Sequence, residues 1–350
     1  MTSPGTPDLT ARERQVLEAV IQSYVETAEP AASRTLSRRF GLGVSPATIR
    51  NTMSDLEEKG FLFHPHTSAG RVPTDRAYRV YVDSLLALDP VSGDAERRLN
   101  EELAAGGRSA IESILRKAAQ SLGVLTQELG VALGPRLDAA RLQRIELVKL
   151  ASDRMLMVLA LERAVARSIY IEVPVDIADD ALGVVGAVLN ERLAGLSLKE
   201  IRDTLAARLR DATANGTAAE LLNIFLEEGE QYFADAMKPD AASVMLGQPS
   251  VLAEHPEFAS SEGMRQLLAF TETPQHIADV LRARKDHPGI TITIGNEHAD
   301  PRLERFTIVT AEYHVGTLAG VIGVIGPTRM PYRKVISLVA HTSRLVSDLL

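Results

Sequence analysis

The sequence predicts an α+β chain in two parts: a small N-terminal unit of helices closed by a β-hairpin, and a larger α+β domain whose sheet is interrupted by helices. Three observations carry this. Residues 1–88 place helix signals, a glycine turn and a hairpin signal in one ordered succession; the strand-like runs that follow come as three, then a long helical stretch, then three more; and an amphipathic helix closes the chain. With 350 residues, 45% hydrophobic and 24% charged, the chain is long enough for two or three domains and too apolar to be disordered.

Thr10 with Glu13 reads as a capping box, and Val16, Leu17, Val20, Ile21 and Tyr24 recur at helical spacing, so a first helix runs from about Ala11 to Thr27. Glu29-Pro30 stops it. Ser33 is placed to cap a short second helix through Leu36 to about Phe40, and Gly41-Leu42-Gly43 turns the chain. Ser45 as N-cap and Pro46 at the first helical position start a third helix, with Ile49, Met53 and Leu56 as its buried stripe and Gly60 as its end. Phe61-Leu62-Phe63 and Arg71-Val72 read as short strands around the turn Thr67-Ser68-Ala69-Gly70, and Pro73-Thr74 leads into a fourth helix from about Asp75 to Leu88. A short helix, a glycine turn, a well-capped helix and a hairpin, in that order, make a winged helix-turn-helix over residues 1–88.

Asp89-Pro90-Val91-Ser92-Gly93 reads as a hinge, with a second break at Gly106-Gly107. Ile111 to Leu129 is an amphipathic helix, followed by strand-like runs Leu142 to Leu150, Arg154 to Leu161 and Val165 to Val173. Ile177 to about Ala236 is helical, as is Met264 to Arg284; strands resume at Ile290 to Gly295, Phe306 to His314 and Thr317 to Ile325, and Tyr332 to Leu350 is the closing helix. The expectation is one α+β domain over 89–176 and 241–350, carrying a helical insertion over 177–240.

The chain has no cysteine, which excludes disulfides, thiolate catalysis, iron–sulfur clusters and cysteine-type zinc sites, and a cytoplasmic location is expected. Met1 to Thr10 lacks the basic and apolar pattern of a secretion leader, and no apolar run reaches the roughly 18 to 20 residues of a spanning helix, so no membrane contact is expected. Gly316, Gly320, Gly323 and Gly326 lack the lysine and hydroxyl ending of a phosphate loop and read as close strand packing. His64 and His66 lack a third ligand nearby, and His255-Pro256-Glu257 has no supporting set, so neither a metal nor a cofactor is expected. No catalytic triad, zinc-protease motif or carboxylate dyad is present, and no enzyme is expected.

Charge points to the partner. Thirty-eight basic and forty-six acidic residues leave −8, which for the whole chain argues against nucleic acid. From Arg34 to Arg79, however, eight basic residues face four acidic ones, a net of +4, so the remainder carries −12. On the third helix, Ala47, Asn51, Ser54 and Glu58 lie opposite the Ile49 stripe, with Thr48 and Arg50 flanking. Small and hydrogen-bonding side chains at the N-terminal end suit the major groove of DNA, where Arg can bond guanine and Asn adenine bidentately. The groove candidates are Ser45, Thr48, Arg50, Asn51 and Ser54; Arg34 and Arg38 are candidates for backbone phosphate, and Ser68 with Arg71 for the wing. The rivals are a protein-binding winged helix, on which Arg50 and Asn51 are ordinary surface residues, and a structural Arg71 paired with Asp75.

The run Glu29-Pro30 with Ser33 to Leu36, then Val44 to Asn51, Leu56-Glu57-Glu58, Pro65 to Asp75 and Tyr78 to Asp83 resembles the bacterial heat-inducible repressor family HrcA. Val324 to Tyr332 resembles that family's second signature, and Gln248-Pro249 with Pro256-Glu257-Phe258 a weaker third. Ala28, Ala31 and Ala32 stand where the pattern has Gly, Val and Gly, and Ala77 where it usually has Gly; none of these lies on the groove-facing residues. The resemblance implies a GAF-like fold for the α+β domain, an inserted dimerising domain, a double-stranded inverted-repeat operator of the CIRCE type before chaperone operons, and activity maintained by a GroEL-type chaperonin. On this reading the chain is a homodimeric repressor released on heat stress, each winged helix taking one half-site. The alternative is a ligand-sensing GAF-like regulator whose winged helix docks a protein.

Overall fold

The computed structural model describes residues 9–66, 70–85, 93–104, 111–162, 165–173, 178–212, 215–237, 244–284 and 289–350. The expected domain limits at 88/89, 176/177 and 240/241, the hinge residues 89–92, Gly106-Gly107 and Ser68 lie outside these.

The N-terminal elements follow the order read from the sequence. Helix α1 (Ala11–Thr27) opens on the full capping box of Thr10 and Glu13 and closes on Ala28, whose φ of 57° is left-handed. Helix α2 (Ser33–Phe40) begins one residue earlier than expected: Ala32 holds the cap position and makes no side-chain bond, so Ser33 is not the cap. Helix α3 (Pro46–Glu58) is capped by Ser45, whose Oγ accepts the Thr48 amide at 3.1 Å. Strands β1 (Leu62–Phe63) and β2 (Val72–Pro73) pair antiparallel, and helix α4 (Asp75–Leu85) follows. Val20, Ile21, Leu36, Ile49, Leu56, Phe61 and Val82 are buried together, so the four helices and the hairpin share one core.

The larger part departs from expectation in its sheets. Helices α5 (Gly93–Ala104) and α6 (Ile111–Thr126) lead into strand β3 (Leu129–Leu133), a strand absent from the sequence expectation, whose helix from Ile111 ends at Leu129 with no element placed over 130–133. All five β3 residues are buried, so there is no alternation to announce a strand. Strands β4 (Leu142–Ala151), β5 (Arg154–Leu161) and β6 (Ala166–Glu172) form an antiparallel sheet of their own. Helices α7 (Asp179–Leu193), α8 (Leu198–Leu209) and α9 (Thr217–Met237) come next. The Asn190 amide of α7 bonds both the Ile145 N–H and the Ile145 carbonyl, at 2.8 Å each.

Strand β7 (Val244–Leu246) returns the chain to β3, with which it pairs antiparallel, and the short helix α10 (Ser250–Ala253) follows. The helix expected from Met264 to Arg284 is two, α11 (Ser261–Thr271) and α12 (Pro274–Arg282), because Pro274 takes a first-turn position and cannot sit inside a longer helix. Strands β8 (Ile290–Ile294), β9 (Phe306–Val315) and β10 (Leu318–Pro327) and helix α13 (Tyr332–Leu349) complete the fold.

The second sheet runs β7-β3-β10-β9-β8, every pairing antiparallel. The single sheet expected from two sets of three strands is therefore corrected to two sheets. Leu129, Val131, Val321 and Ile325 face a cluster with Leu252, Phe258, Leu267 and Ile277, while Ala132, Ile322 and Val324 face the main core. This sheet is buried on both sides. The β4–β6 sheet buries Met155, Met157, Leu159 and Ile171 but leaves Val148 and Tyr170 exposed. The glycines of the β9–β10 region are packing residues: Gly316 turns the hairpin at φ +63°, and side chains at Gly320, Gly323 and Gly326 would collide with Tyr313, the Val309 carbonyl and Glu128. Glu128 itself is fully buried, and burial pushes its carboxyl well above the usual range.

Candidate nucleic-acid interface

Helix α3 buries Ile49, Thr52, Met53 and Leu56 against the N-terminal core and turns the opposite side outward. Arg50 and Asn51 are exposed there, Ser54 is half-buried, and Ser45 and Thr48 sit at the helix start. The Ser45 and Thr48 hydroxyls are 3.0 Å apart, so the cap ties together two of the groove candidates. Thr52, one turn on, donates to the Thr48 carbonyl at 3.1 Å and faces inward.

The eight basic residues between Arg34 and Arg79 divide sharply. Arg39 is paired with Glu26 and lies over the Phe40 ring. Lys59 is bonded to Glu13 at 2.7 Å, an interaction that together with the Thr10 bond holds the Glu13 carboxyl below its usual range. Arg76 donates to the Lys59 carbonyl at 3.0 Å and lies 4.6 Å over the Phe61 ring. Arg71 and Arg79 have carboxylate partners. Among the described residues only Arg34, Arg38 and Arg50 of the eight make neither an ion pair nor a hydrogen bond, and all three are exposed on α2 and the first half of α3. The unengaged positive charge thus lies where the groove and phosphate candidates were expected.

Arg71 is placed differently from its sequence reading. It was expected either free at the wing tip or paired with Asp75, and it is neither. Its guanidinium lies 2.8 Å from Glu57, whose other oxygen is 2.8 Å from His64 Nδ1, and only 13% of the Arg71 side chain is exposed. Its backbone exchanges two hydrogen bonds with Ala31, at 2.8 and 3.0 Å, joining the wing to the entrance of α2. Arg71 positions the hairpin against the end of α3. Glu57, one of the four acidic residues of this segment, is the hub that holds it.

Asp75 has a different partner altogether. It accepts from the Asn296 backbone and side-chain amides at 2.9 and 2.8 Å. Arg79 pairs with Glu297 and donates to the Ile292 carbonyl at 2.7 Å; the Glu297 carboxylate is the main cause that raises the Arg79 pKa. Arg329 donates to the Val25 carbonyl in the last turn of α1 at 2.7 Å and to Glu257 at 2.6 Å. Tyr78 packs on Tyr332, ring centres 5.6 Å apart. Together these contacts seat the N-terminal unit on the five-stranded domain. Sequence reasoning missed them all, although the Gly326-Pro327-Thr328-Arg329-Met330-Pro331 run marked a tight strand-to-helix turn with one long cation in it.

No helix among the described residues is long and apolar enough to cross a membrane. Residues 112–336 match a family described as "HrcA protein C terminal domain". Among curated proteins, the chain is 36% identical to the heat-inducible transcription repressor HrcA of Chlorobium chlorochromatii and 38% identical to that of Geobacter sulfurreducens, each over 98% of both chains. A crystal structure described as that of a hypothetical protein superposes with a TM-score of 0.63 at 22% identity, covering 98% of each chain, which supports the overall fold.

Proposed function

The chain belongs to the HrcA family of heat-inducible transcription repressors, and from that premise we propose how it meets its DNA and its partners. Members of this family are transcription regulators that hold heat-shock genes down. The target proposed is an inverted-repeat operator of the CIRCE type before chaperone operons, bound by a homodimer in the cytoplasm, with a GroEL-type chaperonin maintaining the active state.

The observation that carries this reading is the unengaged trio Arg34, Arg38 and Arg50 beside the open start of α3. Helix α3 lies in the major groove with Arg50 and Asn51 on base edges and Ser45, Thr48 and Ser54 alongside; Arg34 and Arg38 hold the flanking phosphates. Arg71 acts by fixing the wing, and Ser68 is kept as a wing contact. The acidic second half of α3 keeps the approach to its first half.

Twofold operators need twofold proteins. The outer side of the β4–β6 sheet is proposed as the surface that meets a second copy. Val148, Leu156 and Tyr170 are directly opposite one another across its three strands, with Val148 45% and Tyr170 77% exposed. An apolar row of this kind on a sheet face is unusual for a surface left in water. The 177–240 insertion expected from sequence would then act together with the three strands before it.

The test is a footprint of the full-length protein on DNA upstream of chaperone operons, with and without a purified GroEL-type chaperonin. Protection of two half-sites related by a dyad, strengthened by chaperonin, is expected. Absence of sequence-specific protection under both conditions would sink the proposal and favour a ligand-sensing regulator.

A further inference from the structure

We propose that the groove between the N-terminal unit and the five-stranded domain is a binding site for a small amphipathic organic anion, a molecule with an apolar ring or chain and one acidic group. The groove has a volume of about 420 Å³, within the range small ligands fill. Its walls come from both parts of the chain: Val25 and Tyr81 on one side, Met330, Tyr332 and Leu338 on the other. This apolar body is bordered by Arg333 and Lys334 in the first turn of α13.

The two cations select the charge of the occupant. Both are exposed, and among the described residues neither has an ion pair or hydrogen bond. Glu26, the acidic residue that also lines the groove, is already paired with Arg39. Two positive charges therefore border the apolar walls uncompensated. A cationic ligand would be repelled, a neutral one would gain nothing from them, and an anion with an apolar body satisfies both features at once.

The walls are held at their spacing by the contacts that seat the N-terminal unit. Val25 lends its carbonyl to Arg329, the residue before Met330, and Tyr332 is packed on Tyr78. A molecule in the groove touches α1 and α13 together, so its binding favours the seated arrangement over any other. The site does not depend on which DNA the protein reads.

The experiment is a fluorescence titration of the full-length protein with 8-anilinonaphthalene-1-sulfonate, an apolar anion, and with N-phenyl-1-naphthylamine, its uncharged counterpart. Saturable binding of one sulfonate per chain is expected, weakened about tenfold or more in the double variant Arg333→Glu/Lys334→Glu, with the uncharged probe indifferent to that change. Gln22→Trp, which narrows the groove from α1 and leaves both cations in place, is expected to weaken both probes. Thermal melts report whether each variant keeps its fold; if the charge reversal does not, Gln22→Trp decides. Sulfonate binding equal to wild type in a folded variant, or failure to saturate, overturns the proposal.

Discussion

The N-terminal unit has two charged faces built by opposite rules. On the face of α2 and early α3, Arg34, Arg38 and Arg50 stand open without anionic partners. On the face of α4 and late α1, Asp75 and Arg79 are matched by Asn296 and Glu297, and the Val25 carbonyl by Arg329. The residue types overlap, yet one face is available to a ligand and the other is architecture. The difference lies in whether the partner is already within the chain. A formal charge of +4 over this segment therefore overstates what DNA can meet on the second face and understates how concentrated the charge is on the first.

Substitutions can break that contrast, and the largest effect is expected on the open face. Arg50→Ala should cost about 1 to 3 kcal/mol in operator affinity and relax the base preference at its position, with the melting curve unmoved. A lowered melting temperature with unchanged affinity would reverse the assignment of the two faces. Arg79→Ala should behave in the opposite way. Removing a half-buried cation leaves Glu297 and the Ile292 carbonyl short of a donor, at about 1 to 2 kcal/mol in denaturant unfolding, while affinity for an isolated half-site is retained.

Arg71 sits between the two faces. Arg71→Ala is expected to lose about 1 kcal/mol of stability, because Glu57 keeps only its His64 contact to the hairpin, and to weaken binding to all DNA sequences evenly. An unchanged melt with a lower salt slope would show that it contacts phosphate directly. Arg34→Ala and Arg38→Ala should each flatten the dependence of log affinity on log salt by about one unit without altering base preference. The smallest effect is expected at Ala28, which bears a side chain in the left-handed region at the end of α1. Ala28→Gly should stabilise by about 0.5 kcal/mol in chemical unfolding and leave DNA affinity alone.

Much of the N-terminal unit was legible because its signals are local. A capping box, a Ser-Pro helix start and a hairpin turn act within a few residues, so α1, α3 and α4 could be placed before any contact was known. The groove candidates followed from the same helix, since the Ile49 stripe defines its opposite side. Helix capping of α2 was misread because Ser33 and Ala32 differ by one position, a distance that no periodicity resolves. Strand β3 was missed because a strand buried on both sides carries no alternation.

What the sequence by itself determined was the order and kind of the N-terminal elements, the basic segment and the family to which the chain belongs. Only the tertiary structure decided which strands share a sheet and which charges are spent. Alternation in β5 and β6 says that one side is wet, and near-continuous burial in β9 and β10 says that neither side is, but neither names a pairing partner. Glu297 lies more than two hundred residues from Arg79, and Arg329 about three hundred from Val25. Hydrogen bonds and ion pairs act over a few ångströms, and the fold alone brings such residues within that reach.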